Sequence, residues 1–287
     1  PVGRFFYFNG SLPWAFDLTA THDTIPDDTF TARTGSFRAD LSVNIPLSSY
    51  GTHFHLRPGL LFQTVTSLVT FPYAGAHLGL RYDSQFVQIG HSFPEEGTLI
   101  DVDLRRQYYV GGAPFEASTS VDVELRKHYP LSSAARQTLH LSLQGGAFIE
   151  GSGGNAFYSA GGRQSFPYSL GSAYTLYGFR TNSVSGPRLA VAEALYTVSL
   201  LDLQRGLGTT PIFFGRLSGG ARIQAAAVEG RTAWLHPWSA GLELYQGILL
   251  GHLFDLTARV GVYRGSTAQG GETQGIFMLA GGGGGDY

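Results

Sequence analysis

From Phe37 the chain alternates strictly: Phe37, Ala39, Leu41, Val43, Ile45 and Leu47 fall on one face of an extended segment, and Arg38, Asp40, Ser42 and Asn44 on the other. Successive side chains of a strand point to opposite sides, so this pattern marks a sheet with one apolar and one polar face. The split recurs at Leu78, Leu80 and Tyr82 against His77, Arg81 and Asp83, and at Val121, Val123 and Leu125 against Asp122, Glu124 and Arg126. It returns at Leu139, Leu141 and Leu143 against His140, Ser142 and Gln144, and at Phe254, Leu256, Ala258, Val260 and Val262 against Asp255, Thr257 and Arg259. The polar faces carry both signs of charge, the apolar faces none, and helical periodicity is hard to find.

Something must cover those apolar faces. A soluble β-sandwich binding module would cover them with a second sheet and would carry more surface charge. Charged residues here are 14% of the chain, against about 25% in soluble domains, while aromatics reach 13% and glycines number 40. No apolar run of about 18 residues exists to make a transmembrane helix. The pattern therefore predicts an all-β transmembrane antiparallel barrel with its apolar faces toward a lipid bilayer. Aromatic residues near the proposed strand ends (Phe5, Phe6, Tyr7, Phe8, Trp14, Phe16, Tyr108, Tyr109, Trp234, Trp238) fit rings at headgroup depth, although β-propensity alone explains part of the set.

Other functional classes find little support. The formal net charge is −2 and Lys127 is the only lysine, so no basic stripe exists for nucleic acid. The absence of cysteine removes disulfides and thiolate metal or redox sites. His53 and His55 share a strand face and with Arg57 read as lumen lining, because no third metal ligand is spaced nearby. There is no Gly-x-Ser-x-Gly motif, and the glycine run at 281–285 lacks the Lys-Ser/Thr of a phosphate loop, so no enzyme and no cofactor are expected. The run reads as a flexible tail, 281–287. The chain begins at Pro1 without a charged n-region or an apolar h-region, as expected of a processed or trimmed piece, and 1–287 read as a single barrel domain.

Fourteen strands can be placed, near 3–9, 12–20, 34–47, 52–70, 74–83, 86–93, 98–110, 115–127, 136–150, 188–200, 212–226, 232–246, 250–264 and 273–281. Pro58 and Gly59 interrupt the fourth, so that His53 to Val69 could hide an extra strand, as could residues 21–33. Between the ninth and tenth lies a Gly/Ser/Tyr-rich stretch, about 151–187, containing Leu176, Tyr177, Gly178, Phe179 and Arg180. Strand connections of that length tend to be functional.

The order of the loop motif and the segments 188–203, 205–227, 238–265 and 273–282 resembles the C-terminal half of the BamA/TamA-type outer-membrane barrels, the bacterial surface antigen superfamily. The likeness is closest to members that carry the barrel behind a TolB-like propeller, and it runs from about Arg136 to the end. It implies about sixteen strands, a loop that enters the lumen before the last five, and a monomeric barrel that inserts or exports unfolded polypeptide at the bacterial outer membrane. A membrane anchor or narrow channel for an N-terminal domain is the alternative. In the family an arginine of this loop pairs with acidic groups on the inner wall. Here Tyr177 stands in the arginine's place, Arg180 follows, and the family's wall aspartate is missing, its place falling near Gln224, beside Arg222. Arg180 is therefore expected to supply the positive charge in the lumen, meeting Glu193 first, Glu243 second, or the more distant Asp255. Residues near Pro1 are expected to pair with 273–281 and close the barrel through a short, weak seam.

Overall fold

The computed structural model describes residues 2–8, 15–25, 34–47, 53–66, 70–86, 94–110, 117–132, 136–151, 157–162, 172–206, 212–230, 232–251 and 254–281. Eight antiparallel strands come first: β1 (Val2–Phe8), β2 (Ala15–Ile25), β3 (Thr34–Pro46), β4 (His53–Thr66), β5 (Thr70–Asp83), β6 (Gly97–Tyr109), β7 (Ser118–Ser132) and β8 (Gln137–Glu150). Three short strands follow, β9 (Tyr158–Ala160), β10 (Ala173–Tyr174) and β11 (Val184–Gly186), which form a small sheet of their own. Then come β12 (Arg188–Gly206), β13 (Ile212–Glu229), the two-residue β14 (Trp234–Leu235), β15 (Trp238–Leu250), β16 (Phe254–Gly265) and β17 (Thr273–Gly281). The large sheet runs in chain order from β1 to β8 and on through β12, β13, β15, β16 and β17, with β14 beside β13.

The alternation assigns the two faces. Leu60, Leu242 and Phe277 are 64%, 70% and 62% exposed on the outer face, far more apolar exposure than a water-facing sheet carries. The inner face holds the charges. His77 on β5 lies across Gly59 on β4, reaching Asp40 on β3 at 3.1 Å and Asp103 on β6 at 3.0 Å. A Cβ at Gly59 would sit 2.0 Å from the His77 ring. Pro58 and Gly59 thus mark a crossing point inside one continuous strand, β4, and not a hidden turn. His53 and His55 stack with ring centroids 6.0 Å apart, and no group of three His, Cys, Asp or Glu among the described residues is placed to hold a metal ion.

The sheet curls around the small one. Tyr73 on β5 and Val228 on β13, well separated along the sheet, share one buried apolar cluster with Tyr158, Leu176, Phe179 and Val184 of the 151–187 segment. At the rim opposite that segment, Glu95 in the β5–β6 connection reaches Arg216 on β13 at 3.8 Å, and Gln85 of the same connection contacts His128 on β7 at 2.7 Å.

Of the fourteen segments placed from sequence, 86–93 lies outside the described residues except for Phe86, which makes an isolated bridge to Glu96; among the described residues β5 pairs directly with β6. Among the described residues β1 pairs only with β2 and β17 only with β16, so the expected seam between the ends is not present there. Along the antiparallel order β1 and β17 run in the same sense, so a direct ladder between them would be parallel. The residues 282–287 of the expected tail also lie outside the described set.

Candidate functional site

β8 ends at Glu150 and β12 begins at Arg188, and the segment between them folds inward. Leu176 and Phe179 are fully buried and Tyr177 is 5% exposed. At Gly178 the backbone takes φ +76°, a conformation costly by about 1–2 kcal/mol for residues with a Cβ. The turn is also tight: a Cβ on Gly178 would lie 2.5 Å from the Gly265 nitrogen at the end of β16. Its N–H donates to Gln274 Oε1 at 3.1 Å, and its carbonyl accepts the Glu272 N–H at 2.8 Å.

The wall beneath Tyr177 is charged and self-paired. On β13, Arg222 donates through Nε to Glu243 Oε1 of β15 at 2.5 Å and through Nη1 to Glu193 of β12. Arg259 of β16 reaches Glu243 Oε1 and Oε2, each at 3.0 Å. Glu243 has no exposed side-chain surface, and the Tyr263 hydroxyl donates to it. A bare backbone makes room for this crowding, since a Cβ at Gly241 would fall 2.3 Å from the Tyr263 ring. Tyr177 stacks on Tyr263 at 4.4 Å between centroids, lies under the guanidiniums of Arg259 and Arg222 at 4.6 and 5.5 Å, and accepts at its hydroxyl from Arg259 Nη1 at 2.8 Å. Its backbone N–H donates to Gln224 Oε1 at 2.9 Å, and Gln224 Nε2 in turn donates to Glu193 at 2.7 Å.

A second clasp holds the other side of the segment. Asp122 on β7 accepts from Ser172 Oγ at 2.6 Å, Tyr174 Oη at 3.2 Å and Tyr158 Oη at 3.3 Å, and pairs with Arg105 of β6 at 3.4 Å. Burial first, and then the Asp122 carboxylate, pushes both phenols above the ordinary tyrosine range, which keeps them protonated as donors. The segment is thus a strut across the lumen, fastened to β7 at one end and to β13, β15 and β16 at the other.

The fold matches CdiB from Escherichia coli with a TM-score of 0.55 at 13% identity, over 93% of this chain and 47% of that one. It matches BamA from Haemophilus ducreyi lacking POTRA domains 1–3 with a TM-score of 0.58 at 11% identity, over 93% of this chain and 58% of that one. The fold is that of a BamA-like barrel. This chain therefore spans about half the length of the barrel proteins it matches. No family model and no curated protein matches it.

Within this BamA-like barrel the sequence reading misplaced one charge. Arg180 is 83% exposed and its nearest described carboxylate is Glu272, at 3.7 Å on the rim. Glu193 and Glu243 do face inward, but they meet Arg222 and not Arg180. Asp255 pairs in register with Leu249, and its side chain lies outside the described residues. The left-handed turn at Gly178 explains the misplacement: the chain reverses there, Phe179 packs inward, and Arg180 is already leaving the lumen. The cation that the resemblance puts on the loop stands here on the wall, at Arg222 and Arg259.

Gly178→Ala tests the turn. It adds the left-handed penalty of about 1–2 kcal/mol and a clash with Gly265, so the loop is expected to loosen while the barrel stays folded. Trypsin cleavage after Arg180 in detergent should accelerate, and an unchanged rate would show that the tight approach to Gly265 does not hold the loop.

Proposed function

We propose that this BamA-like barrel resides in a bacterial outer membrane as a monomer and there inserts or exports unfolded polypeptides. The observation that carries the reading is the inward strut. A long loop before the last five strands is seated on their inner wall by Tyr177 and fastened across the lumen at Asp122, which supports a braced assembly barrel over an open pore. In this reading Leu176, Tyr177, Gly178 and Phe179 seat the loop, Glu193, Glu243 and Arg222 hold the seat, and Arg180 serves at the rim.

The test uses the full chain in liposomes of bacterial polar lipids. A small urea-unfolded β-barrel is added, and its folded, heat-modifiable fraction is followed against empty liposomes. Faster folding is the expected result. No acceleration, together with a steady ion conductance, would instead identify a narrow channel.

A further inference from the structure

We propose that the inner wall formed by β13, β15 and β16 carries a phenol-binding site, complete in its own charges, which the loop fills in cis with Tyr177. The wall brings two guanidiniums, Arg222 and Arg259, and two carboxylates, Glu193 and Glu243, which pair with each other without help from the loop. Tyr177 adds no charge. It offers a ring to the Tyr263 face and to both guanidiniums, and one hydroxyl oxygen to Arg259 Nη1. A cation–π contact in a dehydrated site favours an electron-rich ring, and the hydroxyl meets a donor that burial would otherwise strand.

The chemistry of the site defines what it accepts and what it refuses. A phenol satisfies the ring face and the free N–H together. Toluene fills the ring space and leaves the N–H unmet. A third guanidinium placed between Arg222 and Arg259 meets like charge, while the carboxylates that could balance it are already engaged. The second clasp follows the same division of labour, since Asp122 is paired by Arg105 of the wall and the loop brings only hydroxyls.

The site is independent of the polypeptide-handling reading, and its test does not involve a client. In the full chain in detergent, Tyr177→Gly leaves a cavity of the ring's size, and trypsin cleavage after Arg180 should rise about tenfold. Millimolar p-cresol should restore most of the protection, toluene less, and benzylamine none. In parallel, Tyr177→Phe should loosen the loop only a few-fold, whereas Tyr177→Arg should expel it and match or exceed the glycine variant. Failure of p-cresol to protect, or protection by benzylamine, would overturn the proposal. So would an arginine variant held as tightly as phenylalanine, a comparison that still decides if the glycine variant does not fold.

Discussion

Glu243→Gln is expected to weaken the barrel more than any other single change at the loop seat. Glu243 has no exposed side-chain surface and pairs with both Arg222 and Arg259. Removing its charge leaves Arg222 with Glu193 alone and takes from Arg259 the carboxylate it pairs with, and breaking a buried pair from one side costs about 3–5 kcal/mol. The urea concentration that abolishes the compact, heat-modifiable band should fall sharply. Glu193→Gln should shift it less, because among the described residues Glu193 pairs with one guanidinium, Arg222, and it keeps 15% of its side chain exposed. A glutamine variant as urea-resistant as the native chain would mean that Glu243 is not the charge that balances the cluster.

Leu141→Arg should block folding into liposomes while its neighbour Ser142→Arg is tolerated. Leu141 lies midway along β8 on the outer face and is 38% exposed in the bare protein, whereas Ser142 points inward, opposite Glu193 in the ladder. An arginine facing lipid at the bilayer midplane costs about 2–4 kcal/mol, but one facing a polar interior does not. The fraction of each variant that becomes heat-modifiable on dilution from urea measures the difference. Equal yields would contradict a lipid-facing outer surface.

The wall was legible because strand period and burial act on the same residues. At Leu139 to Gln144, where leucine alternates with polar side chains, a strand forms with Leu141 and Leu143 on the outer face. The β9–β10–β11 sheet was invisible for the opposite reason. Its strands are two or three residues long, too short for any period, and only the lumen wall makes them form. At the seat, Glu193, Glu243 and Arg222 could be read as inward from alternation alone. Arg259 shows the same alternation, but its importance depends on a register that sets it opposite Tyr245 and beside Glu243, which one strand's sequence does not contain. Arg180 was misread because a turn at Gly178 with Phe179 against the wall suggests that the next side chain is aimed inward, whereas the left-handed reversal there carries it out to the rim.

The contact between Glu95 and Arg216 gives the lumen a second obstruction, at the rim away from the loop. Two constrictions along one path behave as resistors in series, so the larger resistance sets the current. Freeing the lesser of the two should therefore change ion flow little, and freeing the greater should raise it only to the level that the other still permits. Only a variant that releases both would conduct like an empty cylinder, and a passing chain would have to part the two in turn, with one still shut while the other yields.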